Sequence, residues 1–291
     1  MKMEEEDDGS KWKEMEMDCL VLIFQKLSLQ DLTLNVSYVC KTWFQASLSP
    51  LCWRVLDFRT LDFTPGSKFS RRFAAARYPS SRPAAFSAFM KLAVRRSCGA
   101  AVELRFPLFF EVSTEDLVRA STGCPKLKVL GMDSLRPESE LHLPRLIGKW
   151  KELEQLEMET GPSSISDLAA AIGLDCRNFR GLSMSGEVKM EDALAIVECL
   201  PKLKELNLSR SYLPKRELLA IMDGCRELET LSVKYCVGFK ADDEEILGRA
   251  CGTIKLEHEG SKLREDFGYG VSVGSMCVVF VSDIDDCMYR S

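Results

Sequence analysis

Histidine is almost missing from this chain: His142 and His258 are its only two, 116 positions apart in 291 residues. A pair so placed supplies no nucleophile–base signature of an acyl-transfer enzyme. Twelve cysteines are present, yet no two stand as Cys-x-x-Cys, so a zinc site lacks both ligand number and ligand spacing. There is no Walker loop, and Gly268-Tyr269-Gly270 lacks the glycine spacing and the strand-to-helix setting of a dinucleotide site. Excess positive charge is missing too. A net charge of −5 and a pI near 5.4 exclude a general nucleic-acid binder, which must neutralise phosphates. The longest purely apolar run near the C-terminus, Met276 to Val281, is too short to span a bilayer. Residues 1–20 carry Glu4, Glu5, Glu6, Asp7 and Asp8 where a secretory signal has a basic start and a continuous apolar stretch. No catalysis, cofactor, metal, nucleic acid or membrane is therefore expected, and the compartment is nucleus or cytoplasm, which keeps the cysteines reduced.

What the chain does have is a period. Five segments read apolar-x-x-apolar-x-apolar: Leu127 to Met132, Leu153 to Met158, Phe179 to Met184, Leu203 to Leu208 and Leu228 to Val233. Their starts are separated by 26, 26, 24 and 25 residues, and a degenerate sixth begins at Ile254. Val102-Glu103-Leu104 suggests an earlier unit. Between the short strands lie helical patterns: Leu168, Ala171 and Ile172 on one face, then Ala193, Leu194, Ile196, Val197 and Leu200, then Leu218, Leu219, Ile221 and Met222. One strand and one helix per unit of this length is the leucine-rich-repeat period. Cys124, Cys176, Cys225 and Cys251 each stand three residues before a strand opens, and Cys199 stands four before. Reduced thiols at one recurring position are expected to be small apolar wedges between helix end and strand. Residues 100–258 thus resemble the cysteine-containing class of leucine-rich repeats.

The chain before the repeats has another character. Leu20, Ile23, Phe24 and Leu27 fall at i, i+3, i+4 and i+7, an amphipathic helix. Asp31 is expected to cap a second helix. A third runs through Val36, Val39, Cys40, Trp43 and Phe44 and ends at Pro50. The offsets Ile23-Phe24, Leu27, Asp31-Leu32, Val39-Cys40-Lys41-x-Trp43, Pro50-x-x-Trp53 and Leu56-Asp57 resemble an F-box with its exit sequence. The family's opening Leu-Pro stands here as Met15-Glu16, and its next acid as Asp18. From Arg59 to Arg96 there are nine Lys or Arg against one acid, Asp62, and Pro65, Pro79 and Pro83 make the first half of this stretch an expected irregular, solvated linker. A helix from about Ala84 to Arg96 is expected to cap the solenoid.

The expected fold class is an α/β solenoid of leucine-rich repeats, a curved parallel sheet with outer helices, preceded by a small all-α F-box module of three helices. Its parts are an acidic disordered start (1–11), the F-box (12–58), a basic linker with capping helix (59–99), the solenoid (100–258) and a tail (259–291) with a possible strand at Val278–Val281. An F-box followed by such repeats is similar to plant F-box/LRR-repeat proteins. The resemblance implies a substrate-recognition subunit of a cullin-RING ubiquitin ligase, with a Skp-type adaptor bridging to cullin and RING subunit. The expected adaptor face is Met15, Leu20, Ile23, Phe24, Leu27, Leu32, Val39 and Trp43. Two alternatives stay open: a binding scaffold outside any active ligase, suggested by the changed Leu-Pro, and a ligand-assisted receptor, disfavoured because the repeats are too few to close a ring.

Side-chain alternation along each strand sends the residues between the core positions to the concave side. The expected row for an unknown protein target is Gln155, Glu157, Ser183, Glu205, Asn207, Thr230, Ser232 and Lys234, with Glu159, Gly181, Ser185 and Ser209 in the same register. Any solenoid displays a row of this kind whether or not it binds. The row is polar, with its acids toward the earlier repeats.

Overall fold

The computed structural model describes residues 15–77 and 85–263. The expected acidic start and the tail with its Val278–Val281 strand lie outside the described residues, apart from residues 259–263. The chain divides into two compact units, one running to Leu108 and including Val118–Leu127, the other comprising Phe109–Leu117 and the chain from Lys128.

In the first unit, α1 (Met17–Phe24) buries Leu20, Val21 and Phe24, so the inward stripe runs through Val21 and leaves Ile23 outside. The second helix, α2 (Leu29–Leu34), is capped by Ser28 and not by Asp31: the Ser28 hydroxyl accepts the Asp31 N–H at 3.1 Å and donates to the Asp31 carboxylate at 2.7 Å. The single helix expected from Val36 to Pro50 is divided into a 3-10 turn (Val36–Tyr38) and α3 (Lys41–Ser47). Pro50 opens a further turn, Pro50–Trp53, where a first-turn N–H would have no partner anyway. Trp53 is fully buried and its indole N–H donates to the Ser47 carbonyl at 2.8 Å. The exit sequence then becomes β1 (Val55–Asp57).

The described part of the stretch expected to be an irregular basic linker carries helices, while Pro79 and Pro83 lie outside the described residues. It holds α4 (Lys68–Arg77) and α5 (Ala85–Ser97), the second close to the expected capping helix. Its aromatics decide this: Phe58, Phe63, Phe69, Phe73, Phe86 and Phe89 form one cluster with ring centroids 5.1 to 6.4 Å apart, mostly edge to face. Two of its cations face inward. Arg72 donates to the Leu34 carbonyl at 3.0 Å and to the Asn35 side-chain oxygen at 2.9 Å, and the Arg96 guanidinium lies 5.0 Å over the Trp53 ring. After α5, β2 (Glu103–Arg105) pairs in parallel with β1, Leu56 opposite Leu104 and both fully buried. The Val102–Leu104 unit suggested by the sequence is this strand.

The second unit carries the repeats. Its repeat elements include β3 (Val129–Met132), α6 (Pro137–Glu140), α7 (Leu143–Ile147), β4 (Gln155–Met158), α8 (Ile165–Asp175), β5 (Gly181–Ser183), α9 (Met190–Cys199), β6 (Glu205–Asn207), α10 (Lys215–Gly224), β7 (Thr230–Ser232), α11 (Glu244–Ala250) and β8 (Lys255–Glu257), and a separate two-stranded parallel pair joins Glu111–Val112 to Ser134–Leu135. The strands β3 to β8 lie side by side in sequence order, all parallel. Their register stacks Leu130, Leu156, Leu182, Leu206 and Leu231 into one buried column that ends on half-buried Leu256. Each fully buried leucine contributes about 1.5–3 kcal/mol. Helices pack closely enough that a Cβ on Gly173 would run into the Cys199 carbonyl.

A polar ladder runs inside the turns after the strands. The Ser211 hydroxyl accepts the Gly186 N–H at 3.2 Å; the Cys236 thiol donates to the Leu208 carbonyl at 3.1 Å; the Ser261 hydroxyl accepts the Cys236 N–H at 3.0 Å and donates to the Val233 carbonyl at 2.6 Å. All three side chains are buried, so each satisfies turn backbone that water cannot reach. The repeat therefore continues to Ser261 and Lys262, which bridges to Val237.

Cysteine placement is borne out for three of the recurring positions and corrected at two. Cys124, Cys176 and Cys225 are buried, Cys199 is half-buried and Cys251 is exposed, because the last repeat has no further helix over it among the described residues. Burial pushes the thiols up, to about 11 for Cys176 and Cys225 and about 12 for Cys124 and Cys236. The folded chain thus keeps protons that the unfolded chain releases above about pH 8.5, and this contribution to stability is lost as pH rises toward the raised values. Mass spectrometry after brief iodoacetamide treatment near pH 8 should find Cys19, Cys98 and Cys251 modified in the native protein, with Cys124, Cys176, Cys225 and Cys236 modified only in denaturant. Equal labelling of both sets would contradict their placement.

Candidate functional site

Two surfaces, one on each unit, carry the residues expected to bind partners. On the first, the eight expected adaptor residues separate by burial. Leu20, Phe24 and Leu32 are enclosed, with 2% or less of their surface exposed, and Trp43 is half-buried with its ring 5.3 Å from that of Phe24 at 70°. Phe24 on α1 thus packs against Trp43 on α3, and Leu20, Phe24 and Leu32, expected on the contact face, are enclosed in the unit's own interior in this structure. Met15 and Leu27 are half-buried. Ile23 and Val39 remain outside, 39% and 57% exposed. Apolar neighbours absent from the expected face join them: Leu22 at 64%, Tyr38 at 59%, and Phe44. With Met17, Leu48, Leu51 and Val55 also exposed, nine large apolar side chains on so small a module are more than scattered single residues would supply. Helical period points to Leu20 and Ile23 together; only the division of the third helix turns Tyr38 and Val39 outward.

On the second unit, the strand register brings the target row together. Gln155, Gly181, Glu205, Thr230 and Lys255 form one rank, and Glu157, Ser183, Asn207, Ser232 and Glu257 the next. Seven of the eight expected residues line a hollow of about 430 Å³, while Lys234, with Ser183, Asn207 and Ser232 again, lines an adjoining one of about 360 Å³. Gly181 opens the first hollow: Gln155 lies across it and its amide donates to the Glu205 carboxylate at 3.3 Å, where a Cβ on Gly181 would approach Gln155 Cγ at 2.9 Å.

The charge pattern differs from the expected one. Acid is present at both ends of the row, because Glu257 and Glu259 follow in the last repeat. Lys234 does not stand alone as a cation: its ammonium lies 3.0 Å from Glu257 and 3.8 Å from Glu259. Lys234 and Lys255, the latter 3.1 Å from Glu257, hold the Glu257 carboxyl down at about 2. A second residue of the same hollow, Arg210, carries a charge that row alternation does not find. The signal that could have found it is the turn position shared by Gly186, Arg210, Tyr235 and Gly260, spaced 24, 25 and 25 apart.

The fold and these surfaces define an F-box module in one chain with a leucine-rich-repeat solenoid. Comparison with protein families matches residues 12–55 to the F-box domain. The chain is similar to an F-box/LRR-repeat protein of Arabidopsis thaliana, 28% identical over 80% of this chain and 75% of that protein. It is also similar to the F-box protein FBW2, 26% identical over 83% and 73%, and to a putative F-box/LRR-repeat protein 22, 28% identical over 80% and 72%, both from the same plant.

The depressed Glu257 carboxyl stabilises the last repeats at any pH above the ordinary glutamate value of about 4.3, and that contribution is lost as pH falls toward 2. An NMR carboxyl titration of Lys234→Gln should move the Glu257 inflection upward, toward that ordinary value. An unmoved inflection would assign the effect to Lys255 alone.

Proposed function

We propose that this chain is the substrate-recognition subunit of an SCF-type cullin-RING ubiquitin ligase. Its F-box binds a Skp-type adaptor, which bridges to cullin and RING subunit, and its repeats hold a protein target for ubiquitination in the nucleus or cytoplasm. The chain itself performs no chemistry in this role; it supplies two docking surfaces. The observation that carries the proposal is the F-box whose outer side leaves Leu22, Ile23, Tyr38, Val39 and Phe44 exposed, in the same chain as a repeat unit with an ordered polar row. Burying such side chains against a partner contributes about 1.5–3 kcal/mol each. Met15-Glu16 in place of Leu-Pro favours one second reading, a scaffold that uses the same two surfaces without entering a ligase; recovery of cullin with the chain separates the two.

Ile23→Asp with Val39→Asp should abolish co-purification with adaptor and cullin from plant extract while a cooperative thermal melt is kept and shifts by only a few degrees, because neither side chain is enclosed in the interior. The loss should exceed about a hundredfold in affinity, given two apolar burials replaced by charge. A wild-type chain that never recovers adaptor would sink the ligase assignment. For the target side, charge reversal at Glu157 and Glu205 together should reduce capture of a recovered target, with stability within about 0.5–1 kcal/mol of wild type; undiminished capture would move the contact off this row.

A further inference from the structure

The hollow of about 360 Å³ at the ends of β5 to β8 contains two side chains that the repeat does not need. After each of these strands the chain turns through one residue of positive φ: Gly186 at 142°, Arg210 at 62°, Tyr235 at 55° and Gly260 at 75°. Glycine adopts this conformation freely, whereas a large L side chain is strained there. The first and last turns use glycine, and the two between them do not. Strain kept in two consecutive repeats calls for a use of the side chains that outweighs it.

The fold supplies no such use. Arg210 contributes its backbone N–H to the Lys234 carbonyl at 2.8 Å, but its guanidinium is exposed, and among the described residues no carboxylate lies within ion-pair distance of it. Tyr235 likewise donates its backbone N–H to the Glu259 carbonyl at 2.9 Å, while its side chain is 51% exposed. Its ring lies against Gly260, where an added Cβ would come within 2.6 Å of Cε1. With Gly260 on one side and half its surface open, the ring offers an aromatic surface in the same hollow as an unpaired cation. Arginine and tyrosine are also the side chains that most often dominate binding energy at protein interfaces.

We propose that Arg210 and Tyr235 form a recognition pair for a target segment carrying one carboxylate next to an apolar or aromatic side chain. The guanidinium fork takes the carboxylate through two parallel N–H bonds, and the Tyr235 ring takes its apolar neighbour. A phosphate is the wrong ligand here: with Lys234 paired to Glu257, the hollow offers, among the described residues, Arg210 as its one unpaired cation and Glu159 as its one unpaired acid, which suits a single carboxylate better than a dianion. The proposal rests on the repeats holding a protein target and names the chemistry of that target.

The test uses the full chain and immobilised decapeptides. One set has a single Asp or Glu beside Leu or Phe, a second has the matching Asn or Gln, and a third has phosphoserine in place of the acid. The carboxylate set should be retained about tenfold better than the amide set, with Arg210→Asn and Tyr235→Asn each losing that preference and Arg210→Lys keeping part of it. Asparagine tolerates the left-handed conformation, so the melting temperature of both Asn variants should stay level or rise. A clear fall in melting temperature would show that the side chains serve the fold and overturn the proposal. Equal retention of amide peptides, preference for phosphoserine, or capture that Glu205→Lys abolishes while Arg210→Asn leaves intact would overturn the pair and leave the row standing. A wild-type chain that retains none of the three sets would overturn both.

Discussion

In-register parallel pairing of one short strand per repeat is the constraint on which the second unit depends. The column from Leu130 to Leu231 is buried only because each strand is aligned residue for residue with its neighbour. A slip of one residue would turn every leucine to water and every row residue inward. The same alignment sets the Ser211, Cys236 and Ser261 ladder against the backbone of the preceding repeat. It also places Glu154 between Lys128 and Arg180, each 2.7 Å away, so that charges of opposite sign meet across neighbouring strands. Pairs as exposed as these contribute about 0–1 kcal/mol, which is too little to set the register that the leucines already impose.

The first unit solves a different problem. Three short helices cannot enclose much apolar surface by themselves. Here the solution is continuation: the exit sequence pairs with β2, the phenylalanines of α4 and α5 add a second apolar layer, and Arg72 and Arg96 reach back onto carbonyl and indole groups of the helical module. Leu20, Phe24, Leu32 and Trp53 are consumed in that interior. What remains outside, Leu22, Ile23, Tyr38 and Val39, is apolar surface the unit does not use for itself.

Charge on the target row depends on pairing more than on composition. Lys234 and Arg210 both line one hollow, yet Lys234 is held by two carboxylates of the following repeat and Arg210 by none among the described residues. Lys234 lies beside Glu257 and Glu259 of the next repeat, whereas Arg210 occupies the positive-φ position of its turn.

The repeat, its period and the row were legible in the sequence because apolar spacing records which residues must leave water, and a period of about 25 leaves one strand and one helix per unit. The F-box was legible through fixed offsets such as Pro50-x-x-Trp53. Contacts between distant residues were not legible. The basic stretch reads as solvated because local charge outweighs scattered phenylalanines until folding gathers them into one cluster. The expected adaptor face includes Leu20, Phe24 and Leu32, which the structure buries, because helical period marks an apolar stripe without saying whether it faces the chain's own core or a partner. Backbone sign at Arg210 and Tyr235, and the pairing that neutralises Lys234, belong to tertiary structure alone, since both are set by which residue of the next repeat stands alongside.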